Sequence, residues 1–216
     1  MDFTKTETPL YEDLATLTIA KHTTFLQYTQ RHNYLYNADA DPANSDNVLL
    51  LYSGVSTYWK EYQSGSNSYS PQTFNTEHVY PKSKLGNEHS KADLHHLRTC
   101  NIGVNSDRDN LAFTDGSGAY GVKNGAWYPG DDWKGDVARM ILYVNLRYDE
   151  PLTSDISTDD INLFLKWNVE DPVSAIEIQR NDVIEGAQGN RNPFIDNPYL
   201  VTVIFGGDAA ENRWAE

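Results

Sequence analysis

NTEHVYPKSKLGNEHSKADLHHLRTCNIGVNSDRDN, residues 75–110, concentrates the reactive chemistry of this chain. It holds four of the six histidines, a carboxylate directly before one of them, two asparagines near its end and a scatter of Lys and Arg. No other stretch is as rich in groups that take protons, bind metals or contact phosphate. Three clusters stand out within it. Glu77-His78 pairs a carboxylate with an imidazole that titrates near neutral pH and can take a proton from water. Asp93-Leu94-His95-His96-Leu97 reads as a half-buried strand. The run from Cys100 to Asn110 reads as a short helix carrying Asn105, Asp107, Arg108 and Asn110.

Each cluster also has a plainer reading. Most Glu-His dipeptides are solvent-exposed pairs. In an extended strand neighbouring residues point to opposite faces, so Glu77 and His78 share one site only if the strand bends. Val79-Tyr80-Pro81 brings a bend close behind. Adjacent histidines are either metal ligands or buried rings bonded to backbone. His96 is expected to be the latter, and His95 is open. An Asn side-chain oxygen, as at Asn105, is a ligand for a hard cation such as Mg²⁺.

Working outward, residues 1–10 read as a flexible lead-in. Leu14, Leu17, Phe25, Leu26 and Tyr28 approximate helical spacing, which predicts a helix over roughly 11–30. His22 and His32 are expected at its surface or cap. Residues 37–47 form a polar loop, where Asp39, Asp41 and Asp46 raise a weak case for calcium. That loop lacks the glycine and distal Glu of a hand-type calcium site. Val48–Tyr52 is a short apolar run, and 63–73 and 114–130 read as loops. The pattern KGDVARMILYVNLR predicts the main core helix over 134–147. Further helices are expected over 159–168 and 173–186, the last ended by Gly186. A polar turn with two prolines follows, then the apolar run Val201–Phe205. The fold class expected is α+β, mostly helical with a small antiparallel sheet, as one domain over 1–216.

Composition sets bounds. The net charge is −14, from 31 acidic and 17 basic residues, whereas phosphate binders normally carry a basic excess. A local cationic patch still suffices, because screening limits each charge to about 8–10 Å. Five Trp and 14 Tyr are many for 216 residues, and most are expected in the core, with a few lining a groove. Cys100, the one cysteine, allows no intramolecular disulfide and is expected to be a small buried hydrophobe. The first ten residues lack the basic and apolar regions of a signal peptide. No apolar run approaches the roughly 20 residues of a membrane span, so no membrane partner is expected.

The motifs EHVYPKS, DLHHLR and VNSDRDN, in this order, resemble the endonuclease I family of the His-Me finger (ββα-metal) nucleases. KGDVARMILYVNLRY and the region from WNVEDPVSAIEIQRNDVIEGAQGN to NPYL resemble that family's C-terminal half, so the likeness covers roughly 10–205. It implies a strand–strand–helix active-site motif over about 73–112. His78 matches the general base, and Glu77 and Asn105 match the ligands of a single Mg²⁺, with Mn²⁺ or Ca²⁺ as substitutes. Arg98, Arg108 and Lys82 are the candidates for holding phosphate, and His95 for contacting substrate. The implied activity is largely sequence-nonspecific hydrolysis of double- and single-stranded DNA, with RNA open, to 5′-phosphate and 3′-hydroxyl ends. A monomer, secreted or periplasmic, is expected. Thr99-Cys100 departs from the family, which commonly has proline after DLHHL. Two other readings stay open: an inactive nucleic-acid-binding module, and a zinc hydrolase using His78, His95 and His96.

Overall fold

A computed structural model describes residues 7–215. The first helix, α1 (Glu7–Lys21), starts inside the expected lead-in and ends well before residue 30. Residues 1–6 of that lead-in lie outside the described residues. Leu10, Leu14 and Thr18 form its buried stripe at i, i+4 and i+8. A separate helix, α2 (His32–Ala38), follows a tight turn at 28–30.

The polar segment read as a loop over 37–47 is a hairpin instead. β1 (Ala40–Asp41) and β2 (Asn44–Leu49) pair antiparallel, and β3 (Ser56–Tyr58) adds to β2. Among the described residues no group of three or more His, Cys, Asp or Glu converges as a metal site, so the calcium reading fails here. Asp39 is wholly buried and serves the core instead.

The 75–110 region supplies β4 (Phe74–His78), β5 (Leu97–Asn101) and α3 (Ile102–Arg108). β4 and β5 run antiparallel with Glu77 opposite Arg98 and His78 opposite Leu97. The Asn101 side chain caps α3, accepting from the amides of Gly103 and Val104. Leu94–His96 is a 3₁₀ turn, not the strand expected, because Asp93 caps it through the His95 amide. Within 114–130, β6 (Gly121–Lys123) and β7 (Ala126–Tyr128) form a third small sheet.

The C-terminal half is helical. α4 (Lys134–Tyr148) lies at the centre, with eleven of its fifteen residues buried. Around it pack α1, α5 (Asp160–Glu170) and α7 (Pro193–Asp196). α8 (Tyr199–Phe205) closes against α1, α5 and α7. α6 (Ala175–Gln188) begins at a capping box between Ser174 and Glu177 and packs on α2. It runs through Gly186 and stops at Gly189, whose φ of +91° is the left-handed C-cap. The backbone carbonyl of Lys21 would lie 2.5 Å from any Cβ there, so glycine is required twice over. No described helix is long and apolar enough to cross a membrane.

Buried ion pairs tie the halves together. Asp39 Oδ1 meets Arg98 Nε at 2.8 Å and also pairs with Arg180, while Asp39 Oδ2 accepts from the Thr99 amide and hydroxyl at 2.8 and 3.0 Å. Thr99 thus donates from its amide a hydrogen bond that a proline at this position would lack. Arg98 continues to Asp136 on α4 at 3.2 Å. Removing one partner of such a set leaves the others as uncompensated buried charges. Asp39→Ala is expected to lower unfolding free energy by about 3–5 kcal/mol in urea titration. A loss under about 1 kcal/mol would mean that water reaches the two guanidinium groups.

Candidate active site

β4 ends at His78 and the chain bends at 79–80. Because of that bend, Glu77 and His78 both line one cavity of about 470 Å³ despite their alternate positions on the strand. Thr76, Pro81, Lys82, Asn105, Ser106, Arg108, Asp109 and Asn110 complete its lining.

His78 is 8% exposed. Its Nε2 lies 3.0 Å from the Lys91 carbonyl. A carbonyl only accepts, so Nε2 carries the proton of the neutral ring and Nδ1 keeps a lone pair. Burial pushes the ring down to about 3, aided by His96, Lys82 and Arg31 and opposed by the Lys91 carbonyl. The imidazole is therefore neutral at pH 7, the form in which a base works.

Glu77 is 3% exposed, and burial raises its carboxyl pKa while Arg108 and Tyr52 pull it back. Tyr52 Oη donates to Glu77 Oε1 at 2.9 Å, and Arg108 Nε sits 3.2 Å from the same oxygen. Oε2 takes neither contact. Tyr52 reaches this position from a left-handed backbone, φ +67°, a strained setting for tyrosine that the surrounding core must hold. On α3, Asn105 Nδ2 donates to Asn75 Oδ1 at 2.7 Å and to the Thr76 carbonyl at 3.4 Å. These bonds leave Asn105 Oδ1 as its free end. A second amide, Asn110, accepts from Ser83 Oγ at 3.1 Å.

A buried carboxylate and an amide oxygen lining one cavity form a hard, all-oxygen donor set. That chemistry fits Mg²⁺ with water completing its shell better than it fits zinc. The zinc reading needs three imidazoles to converge, and they do not. His95 and His96 are 3% and 0% exposed, and neither lines the cavity. Their Nε2 atoms donate to the carbonyls of Asn190 at 3.2 Å and Ser90 at 2.6 Å. His96 thus takes the backbone-bonded role expected of it, and the substrate contact expected of His95 has no opening to the cavity.

Of the phosphate candidates, Lys82 and Arg108 line the cavity, although Arg108 is 1% exposed and spent on Glu77. Arg98 does not reach it. Its guanidinium turns inward to Asp39 and Asp136 and lies 5.3 Å from the Trp133 ring. Tyr52 and Asn110 are the site-lining or site-bracing groups that sequence reasoning missed. Asn110 stood in the quoted stretch beside Arg108, but nothing in its spacing set it apart. Tyr52 lies outside the stretch, and only the fold brings it to Glu77. His22, expected at the surface or cap of its helix, follows α1 directly at the cap position but is buried beside Asp93; His89 is exposed, and Cys100 is fully buried as expected.

An endonuclease I family model matches residues 8–199. The chain belongs to the endonuclease I family. As a member it is an endonuclease, a hydrolase whose substrate is nucleic acid. It is 40% identical to an extracellular ribonuclease of Bacillus amyloliquefaciens, over 83% of this chain and 68% of that protein. A second extracellular ribonuclease, from Bacillus subtilis, is 37% identical over 81% of this chain and 67% of its own length. An extracellular deoxyribonuclease of Aeromonas hydrophila is 31% identical over 49% of this chain and 50% of its own length. The stretches EHVYPKS and VNSDRDN both supply residues that line the cavity, whereas DLHHLR lies in the turn at 94–96 and the start of β5.

Behind the cavity lies a buried carboxylate, Asp93. Its oxygens accept from the hydroxyls of Tyr143 and Tyr148, from Gln188 and from the His95 amide. Burial pushes His95 from 6.5 down to about 4, against Asp93 and the Asn190 carbonyl. Between those values the unfolded chain binds a proton that the folded chain does not. Stability from this group is complete above pH 6.5 and is lost as pH falls towards 4. Thermal melts are expected to show a fall over that window worth on the order of 2–3 kcal/mol from His95. A Tm flat from pH 7.5 to 4 would contradict a buried neutral ring.

Proposed function

We propose that the protein is a metal-dependent, largely sequence-nonspecific endonuclease that cleaves both RNA and DNA to 5′-phosphate and 3′-hydroxyl ends. One observation carries this reading: a neutral imidazole with a free Nδ1 lines the same cavity as a buried carboxylate and an amide oxygen. His78 takes the proton of the attacking water at Nδ1, and the Lys91 carbonyl holds the ring in the required tautomer. Glu77 and Asn105 would hold Mg²⁺, with Mn²⁺ or Ca²⁺ as substitutes. When bound, the metal supplies charge neutralisation at the phosphoryl group and at the leaving oxygen. Tyr52 and Arg108 fix the Glu77 carboxylate, so little reorganisation is needed as charge develops. Lys82, exposed at the rim, contacts phosphate.

RNA enters the reading because two relatives that match over more than four fifths of the chain are extracellular ribonucleases. DNA enters through the deoxyribonucleases that match about half of it. The extracellular naming of these relatives supports action outside the cytoplasm.

The test compares supercoiled plasmid, single-stranded DNA and RNA with Mg²⁺, Mn²⁺, Ca²⁺ or EDTA. EDTA is expected to abolish cleavage, and His78→Ala to reduce kcat by about 10²–10⁴. A His78→Ala variant as fast as the parent would remove His78 as the base. Asn105→Ala is expected to raise the Mg²⁺ concentration for half-maximal rate by about tenfold or more. If Asn110→Ala does so and Asn105→Ala does not, the amide ligand is Asn110.

A further inference from the structure

In a chain with 31 acidic and 17 basic residues, a cation without a carboxylate partner is informative. Many lysines and arginines have one: Lys84 pairs with Asp155, Lys91 with Glu88, Lys134 with Glu170 and Lys166 with Asp115. Arg31 and Lys82 form no such pair with any described residue; Lys21, Lys60, Lys123 and Arg147 lack one too, but Arg31 and Lys82 stand together against residues of the cavity. Glu88, the next acid along the chain after Lys82, is bonded to Lys91.

Both cations rest on the same ring. The Arg31 guanidinium carbon lies 3.9 Å from the centroid of Tyr28, and Lys82 Nζ lies 5.3 Å from it. Tyr28 in turn stacks on His78, with centroids 5.2 Å apart and planes 23° apart. Arg31 is held from below: Nε donates to Thr76 Oγ1 at 2.7 Å and Nη1 to the Tyr28 carbonyl at 2.9 Å. Among the described residues its Nη2 has no acceptor. Thr76 and Lys82 both line the cavity of Glu77 and His78, so the two charges stand at its edge. Like charges on one ring repel, and the ring's negative faces offset only part of that. An arrangement of this kind is completed by an anion arriving from outside, and a planar guanidinium with a free N–H edge suits a phosphate.

We propose that Arg31 and Lys82, held on the Tyr28 ring, bind the backbone phosphate next to the scissile one in a bound nucleic-acid strand. This rests on the nuclease reading above, and it adds a second phosphate subsite to the catalytic one. The Tyr28 ring is the platform and Arg31 the fixed donor, while Lys82 supplies a mobile point charge.

The test sets a single-stranded oligonucleotide of about twelve nucleotides against a dinucleotide with one phosphodiester, across a salt series. Arg31→Gln is expected to raise KM for the oligonucleotide about tenfold more than for the dinucleotide, which has no second phosphate. It should also make the slope of log(kcat/KM) against log salt shallower by about 0.7, the share of one phosphate contact on a single strand. Lys82→Gln should act in the same direction, and Arg31→Lys should keep most of the slope. Equal losses on both substrates, or an unchanged slope, would overturn the proposal and leave Arg31 a structural partner of Thr76. Parent protein that cleaves neither substrate would count against the nuclease reading instead. In that event oligonucleotide binding by fluorescence anisotropy in Ca²⁺, read by the same salt slope, decides the subsite.

Discussion

Asp39 is the constraint on which the rest of the structure depends. It is 0% exposed, and it meets two buried arginines and two donors from Thr99. Each partner comes from a different part of the chain. Asp39 follows α2, Arg98 and Thr99 belong to β5, Arg180 to α6, and Arg98 passes the contact to Asp136 on α4. A nearby pair, Arg139 with Glu177, joins α4 to α6 by contacts of 2.6 and 2.8 Å. Buried ion pairs contribute little net stability against apolar packing, because desolvation is costly. Their effect lies in what they exclude. A one-residue slip of β5 would turn Arg98 away from both acids and take it out of register with Glu77, which it faces across the pair.

That register couples the interior to the chemistry. With Arg98 held from behind, β5 presents β4 in a single arrangement, and β4 ends with Glu77 and His78 at the cavity. Each functional group is then held by a second contact: Glu77 by Tyr52 and Arg108, His78 by the Lys91 carbonyl, Asn105 by Asn75 and the Thr76 carbonyl. The strained backbone of Tyr52 belongs to this pattern. A φ of +67° for a bulky residue costs energy that the fully buried ring recovers by packing edge-on to Trp127. Such bracing limits side-chain reorganisation, and pre-set donors and acceptors are what a charged transition state rewards.

Much of this was legible in the sequence. The 3.6-residue pattern placed α4, α5 and α6 to within a few residues, and the dense stretch 75–110 contains most of the cavity lining. What escaped shares a cause. Gly186 and Gly189 are equivalent as local stop signals, and the choice falls on Gly189 because the Lys21 carbonyl and Thr23 approach it. Leu94–His96 reads as a strand by alternation, but the Asp93 cap closes it into a turn. Arg98 looks like a phosphate contact until Asp39 and Asp136, 59 and 38 positions away, are folded onto it. Tyr52 and Arg31 carry no local signal at all. In each case the deciding partner is distant in sequence, where periodicity and motif reading have no reach.

The acidic balance also has a structural account. Four arginines, Arg98, Arg108, Arg139 and Arg180, are buried against Asp39, Asp136, Glu177 and Glu77. These charges cancel inside the protein, so the net −14 is carried by the remaining residues and little cationic surface is left to draw nucleic acid from a distance. The field far from the protein repels a polyanion, and steering of the kind basic nucleases enjoy is absent. Attraction begins only within about a Debye length of the rim, where Lys82 and Arg31 stand without carboxylate partners. Salt then acts in two opposite ways. It screens the long-range repulsion, which favours encounter, and it weakens each phosphate contact in the cleft, which disfavours binding. The first effect scales with the whole surface and the second with the few cations at the site. An acidic exterior around a small cationic rim is therefore a coherent way to bind a polyanion in a saline setting, where the repulsion is already screened and only the local contacts count.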